Sequence, residues 1–213
     1  MPKSSLARLV ALTSAAIALG LVIAVAVRFW SSGGDHTVKS LGKDVAGATL
    51  IGGPFTLTDQ HGTRISDSSF RGRLMLVYFG YSYCPDICPT DLAKISIAID
   101  LLGLSGDVVQ PIFITIDPER DTVQRLAEYA SLFHPRLVAL TGTLDEIRQV
   151  ASEYRVYFEK SGTEPNYAMN HSDIIYLMGR DGRFITHFGQ GTAPEQIAQA
   201  IRKELDQAPA RSS

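Results

Sequence analysis

Apolar residues fall along this chain in three patterns, and each predicts a different element. Residues 9–27 form a largely apolar block of 19 residues without a charge. At about 1.5 Å rise per residue, a helix of that length just spans the hydrocarbon core of a bilayer. Alternation with a period of two marks residues 55–65, where apolar positions flank the polar turn 59–62 and predict a β-hairpin. Short apolar runs at 74–79, 111–116, 137–140, 174–178 and 184–188 read as strands, the last two joined by a tight turn at Asp181-Gly182. Helical spacing recurs at Leu92, Ile95, Ile99 and Leu102, at Val123, Leu126, Ala127 and Ala130, and at Ile197, Ile201 and Leu205.

Strands alternating with helices, then a closing hairpin and helix, predict an α/β domain with a thioredoxin-like fold, an N-terminal β-hairpin and a preceding transmembrane helix. The expected organisation is a cytoplasmic N-terminus at 1–8, an anchor at 9–30, a flexible Gly/Ser-containing linker at 31–44, the domain at 45–208 and a disordered tail at 209–213. Lys3 and Arg8 precede the apolar block, so the globular part is expected outside the cytoplasm. A cleavable signal peptide ending near Ala24-Val25-Ala26 is the competing reading, and both readings export residues 45–208. No Cys lies near the block, which excludes a lipoprotein.

Composition changes this picture little. The net charge of −2 gives no basic field for nucleic acid. The 18 Gly and 10 Pro are scattered among turns, and no internal repeat is visible.

The chemistry gathers at Tyr81-Ser-Tyr-Cys84-Pro-Asp-Ile-Cys88-Pro89, directly after the strand at 74–79. Pro lacks an N–H and suits a first helical position, which predicts Cys88 at the helix N-cap and Cys84 in the preceding loop. The free N–H groups and the positive end of the helix dipole there favour thiolate over thiol, preparing a nucleophile or a soft metal ligand. If the whole run is helical instead, positions i and i+4 still share a face and could bridge or share a metal. Two cysteines in an exported domain would ordinarily suggest a structural disulfide. So short a loop removes little unfolded-state entropy, which favours a reactive or metal-binding pair.

Of the five histidines, His36 falls in the linker, His61 in the hairpin turn and His134 before Pro135, all expected to be exposed polar residues. His187 lies within a strand, facing solvent or pairing across the hairpin. His171 sits in Asn170-His-Ser-Asp173 at the start of the 174–178 strand, where loops collect functional groups. Asp121 with Thr122 is expected to cap the helix that follows, and Asp117 is a candidate for supporting a site from behind its ligands. Tyr81, Tyr83 and Tyr167 are expected to shield the site, and Met169 to be an exposed loop residue.

The runs Gly52-Gly-Pro-Phe-Thr-Leu57, Tyr78-Phe-Gly-Tyr81, Cys84-Pro-Asp-Ile-Cys-Pro89, Ile116-Asp-Pro-Glu-Arg-Asp-Thr122, Leu140-Thr-Gly142, Asn170-His-Ser172 and Tyr176-Leu177 together resemble the SCO/SenC family of copper chaperones, from about residue 45 to the end. The resemblance implies a thioredoxin-like fold and one copper per chain, Cu(I) or Cu(II), held by Cys84, Cys88 and His171. It also implies delivery to the binuclear copper centre of cytochrome c oxidase subunit II. Partners would be that subunit and an upstream periplasmic copper donor or thioredoxin-like reductase, around a single-pass bacterial inner-membrane protein with its domain in the periplasm. Two thiolates and an imidazole suit copper, whereas structural zinc usually takes four protein ligands.

Two other functions compete. A thiol–disulfide oxidoreductase could use the Cys84/Cys88 pair as a redox-active disulfide, although Cys-x₃-Cys departs from the Cys-x-x-Cys motif. A redox or copper signalling module is the other. A peroxidase is weaker, because Tyr81 stands where a Thr would precede the peroxidatic Cys.

Overall fold

The computed structural model describes residues 51–163 and 165–207. They form β1 (Thr56–Asp59), β2 (Arg64–Ser66), a 3-10 turn at Asp67–Phe70, β3 (Leu74–Gly80), α1 (Ile87–Asp100), a second 3-10 stretch at Gly103–Val108, β4 (Val109–Thr115) and α2 (Val123–Ala130). There follow β5 (Val138–Thr141), α3 (Leu144–Glu153), β6 (Phe158–Ser161), β7 (Ala168–His171), β8 (Ile174–Met178), β9 (Phe184–Gly189) and α4 (Pro194–Gln207). The anchor, linker and tail expected at 9–30, 31–44 and 209–213 lie outside the described residues. Among the described residues, no helix is long and apolar enough to cross a membrane.

Seven strands make one sheet in the order β2-β1-β5-β4-β3-β8-β9. The central β5-β4-β3 pairings are parallel, and β2, β1, β8 and β9 extend the sheet antiparallel. All seven residues of β3 and all seven of β4 are buried, as expected where crossover helices cover both faces of parallel strands. Pro111 is tolerated inside β4 because pairing with β5 begins one residue later, at Ile112↔Val138. The predicted stripe of α1 is buried at Leu92, Ile95 and Ile99, and α1 packs against α4, which buries Ile197, Ala198 and Ile201. This is the thioredoxin-like arrangement expected from the sequence.

Two features add to that expectation. Helix α3 begins with a capping box: Thr143 Oγ1 accepts from the Glu146 amide at 3.2 Å, and Glu146 Oε2 accepts from the Thr143 amide at 2.8 Å. Strands β6 and β7 form a separate two-stranded sheet, with Phe158 opposite His171 and Ser161 opposite Ala168. The β6 residues are largely exposed, so no apolar alternation announced them.

Candidate metal centre

The cysteine loop leaves the middle of the sheet at Gly80. A Cβ on Gly80 would stand 2.8 Å from Cys88 Sγ and 3.0 Å from the Phe113 and Tyr78 rings, so only glycine leaves room for the sulfur. The loop is then fixed by a buried carboxylate. Asp121 accepts from the Ser82 amide (3.0 Å), the Ser82 hydroxyl (2.5 Å) and the Thr115 hydroxyl (2.6 Å), and it is wholly buried. Helix capping at α2 is done by Thr122 alone, whose hydroxyl accepts from the Arg125 amide. Asp121 therefore positions the cysteine loop, contrary to the capping role expected of it.

Helix α1 starts two residues earlier than expected, at Ile87, with Asp86 in the cap position and making no side-chain cap bond. Cys88 is the second helical residue, and Pro89 the third, still within the turn whose amides have no intrahelical acceptor. The Cys88 amide instead donates to Cys84 Sγ at 3.4 Å, so a sulfur does what the Asp86 side chain does not. Both cysteines are free thiols, Cys84 half-buried and Cys88 fully buried. Burial pushes the Cys88 thiol well above its ordinary range, which outweighs the helix start and corrects the expected thiolate. Burial thus favours the neutral form of the Cys88 thiol.

His171 closes β7, and its Nε2 lies 3.6 Å from Cys88 Sγ. Its Nδ1 is 2.9 Å from the Ser172 carbonyl oxygen, which can only accept, so Nδ1 carries the proton and Nε2 presents its lone pair to the sulfur. Burial holds the imidazole below its ordinary value, and the Tyr78 and Tyr81 rings meet it edge-on at 6.4 and 6.1 Å. A neutral imidazole with a free Nε2 facing a sulfur is the donor arrangement a soft metal needs. As they stand, however, no three His, Cys, Asp or Glu side chains among the described residues are arranged to hold an ion. The Cys84 sulfur is turned toward the Cys88 amide.

The remaining predicted residues fall in varied places. Asp117 Oδ2 bonds Arg120 Nε at 2.5 Å and Oδ1 accepts from the Tyr167 hydroxyl at 2.8 Å; these bonds reach neither the sulfurs nor the imidazole. Tyr81 and Tyr167 are buried as expected, while Tyr83 remains about half exposed beneath Arg120 and Arg125. Met169 is no exposed loop residue: it is buried in β7 and lines a cavity of about 500 Å³ with Ile116, Val156 and Phe158. His61 and His187 are exposed, the latter stacked on Phe184. His134 is less exposed than expected, its Nδ1 accepting from the Arg136 amide. His36 lies outside the described residues.

An acid pair beside the site escaped sequence reasoning. Tyr78 donates to Asp173 at 3.3 Å, and burial, then the hydrogen-bonded Asp91 carboxylate, pushes Asp173 up to about 7. Asp91 is itself buried and paired with Lys94 at 2.7 Å. Three residues separate Cys88 from Asp91, so the helical repeat could have placed them on one face.

A thioredoxin-like domain with two free thiols at a helix start and an imidazole pointed at the buried one has the groups with which proteins bind soft metals or exchange disulfides. Comparison with known proteins narrows this. The family model described as SCO1/SenC matches residues 43–206, and the chain belongs to that family. It is similar to Protein sco1 of Schizosaccharomyces pombe, 46% identical over 160 residues that cover 73% of this chain and 61% of that protein. The mitochondrial SCO1 homolog of Homo sapiens is 42% identical over 163 residues, 75% of this chain and 54% of that protein. The chain thus spans 54% to 61% of these two curated relatives. Among solved structures it resembles Arabidopsis thaliana ScoI with copper bound, at TM-score 0.70 and 42% identity, covering 74% of this chain and 99% of that one. Bradyrhizobium japonicum ScoI with copper bound gives TM-score 0.68 and 45% identity, covering 72% and 99%.

Proposed function

We propose that this protein is a copper chaperone that carries one copper ion on Cys84, Cys88 and His171 and passes it to the binuclear centre of cytochrome c oxidase subunit II during oxidase assembly. The observation that carries the reading is the Cys88 Sγ to His171 Nε2 approach of 3.6 Å, with Nδ1 committed to the Ser172 carbonyl. Similar structures with copper bound, at 37% to 45% identity, support the choice of metal. Asp117 supports the site through Tyr167 and Arg120. In this reading the 9–30 segment anchors the chain in a bacterial inner membrane with the domain in the periplasm, where a copper donor or a thioredoxin-like reductase prepares it.

Copper binding exchanges protons for metal. The Cys88 thiol must lose its proton, and the neutral imidazole is already competent, so affinity rises with pH. Two thiolates and Cu(I) sum to −1 and with Cu(II) to zero, so reduction of the ion changes the charge held beside the Asp91 and Asp173 pair. Three protein ligands leave one face open, through which an acceptor thiolate can displace the donors in turn.

A copper titration of the reduced full-length chain tests the reading. One equivalent should bind, and His171→Ala should weaken binding about a hundredfold while leaving two titratable thiols. Unchanged affinity in that variant would sink the proposed ligand set. A thiol–disulfide exchanger is the second reading, motivated by the two adjacent free thiols. The buried, protonated Cys88 is a poor attacking group, leaving that chemistry to half-buried Cys84. Reduction of a model disulfide at undiminished, enzyme-like rates in His171→Ala would favour it over copper delivery.

A further inference from the structure

We propose that Arg120 is the positioning residue of the metal site, joining the hairpin that carries His171 to the loop that carries Cys84, and so setting the distance between imidazole and thiols. Among the described residues, strands β6 and β7 pair only with each other, so His171 gains no register from the ladders of the seven-stranded sheet. Its hairpin is held by side chains. Arg120 donates through Nε to Asp117 Oδ2 and through Nη1 to the Tyr167 carbonyl at 2.9 Å, and its guanidinium lies 3.6 Å from the Tyr167 ring centroid. On its other side the same cation lies 4.8 Å from the Tyr83 ring and 5.8 Å from the Tyr81 ring, both from the cysteine loop. Tyr81 in turn meets the His171 imidazole edge-on.

The guanidinium therefore touches residues of both ligand-bearing segments. Its Nη2 is buried without a hydrogen-bond acceptor among the described residues, so the surrounding aromatic faces must compensate that side of the cation. No lysine could replace it, because an ammonium cannot bond Asp117 and the Tyr167 carbonyl along two fixed directions while lying flat on a ring. Asp121, one residue on, ties the cysteine loop to the same β4–α2 connection through Ser82. The two ligand segments are thus referred to one short piece of chain. Asp117 and Arg120 hold the hairpin, and Asp121 holds the loop.

The copper arm of the test rests on the function proposed above, and a metal-free arm keeps the two separable. Arg120→Gln removes the charge and the fork. In the metal-free full-length chain, amide exchange at 168–171 should then accelerate at least about tenfold while β3 and β4 exchange as before. Equal protection of the hairpin in Arg120→Gln and wild type would overturn the proposal, whatever copper does. In the copper-loaded chain, Arg120→Gln should weaken binding about tenfold and move the Cu(II) spectrum, including its imidazole nitrogen coupling, toward that of His171→Ala.

Adding His171→Ala to Arg120→Gln should cost less than the two single losses multiplied, since both remove the same ligand. Fully multiplicative losses, or a wild-type Cu(II) spectrum in Arg120→Gln, would overturn it. Arg136→Gln, which breaks a guanidinium contact to Asp107 and Gly106 far along the chain, controls for general loosening and should leave both the spectrum and the hairpin exchange unchanged. Arg120→Lys should behave as Arg120→Gln in the spectrum; a lysine that restores the wild-type signal would show that charge alone suffices and overturn the geometric role.

Discussion

The two arms of the site are held by opposite means. The cysteine arm leaves a strand wedged between β4 and β8, passes a glycine that cannot be larger, and is pinned by a carboxylate with three buried donors. The histidine arm is a two-stranded hairpin outside that sheet, tethered by side chains. Backbone ladders buried in a core open only with the global unfolding free energy, whereas side-chain tethers open locally at lower cost. On the copper reading, the thiols are a fixed seat and the imidazole is the part that can let go.

Four substitutions would break or sharpen this contrast. The largest effect is expected from Cys88→Ala, which removes the buried sulfur of the proposed copper site. Copper affinity should fall on the order of a thousandfold, comparable to one ligand's share of the ~10–16 kcal/mol with which zinc-finger peptides hold structural zinc. Competition with a chelator measures it, and retention of tight binding would mean that the fixed seat lies elsewhere. Next comes Asp121→Ala, which strands the Ser82 amide and the Ser82 and Thr115 hydroxyls in the interior. A stability loss of about 3 kcal/mol in urea denaturation is expected from unpaired buried donors. A loss below about 1 kcal/mol would show that the cysteine loop does not depend on that carboxylate.

Gly80→Ala forces a methyl against the Cys88 sulfur and two rings. It should cost about 2 kcal/mol of overpacking and weaken copper binding, with hairpin exchange at 168–171 unchanged. Accelerated hairpin exchange would show that the two arms are one mechanical unit. The smallest effect concerns Asp173. Its carboxyl is pushed up to about 7 in the folded chain, against an ordinary value of 3.8, so between those values the folded state binds a proton that the unfolded state does not. The associated stability is present at acid pH and is lost as pH rises through about 7. Asp173→Asn should therefore stabilise the metal-free chain more at pH 8 than at pH 5, by about 1 kcal/mol after allowance for the partial exposure of the group. Melting curves at the two pH values decide it, and an equal shift at both would remove the carboxyl pair as the cause.

Much of the fold was legible because burial imposes a period. The continuous runs of β3 and β4 announced central strands, and the stripe at Leu92, Ile95 and Ile99 announced α1. Helix α3 carried a readable signal in Thr143-x-x-Glu146, a capping box that needed only to be sought. The β6–β7 hairpin had none, since exposed residues such as Glu159 and Lys160 carry no alternation. At the site, Cys84 and Cys88 were legible as a reactive pair at a helix start, while their protonation was not. The dipole argument uses only local sequence, and the burial that overrides it comes from β3, β4 and the hairpin packed above Cys88.

What the sequence by itself determined was which residues are candidates for the chemistry: two soft donors at a strand-to-helix junction and, through a family pattern, one histidine among five. These follow from short-range constraints, namely where a helix can start and which residue types bind soft metals. Only the tertiary structure decided that burial favours the neutral Cys88 thiol, that His171 offers Nε2 because Ser172 holds Nδ1, and that Asp121 pins the cysteine loop instead of capping a helix. Each of these depends on desolvation or on hydrogen bonds fixed by the packed fold, and on distances between segments as much as 83 residues apart, which no local pattern encodes.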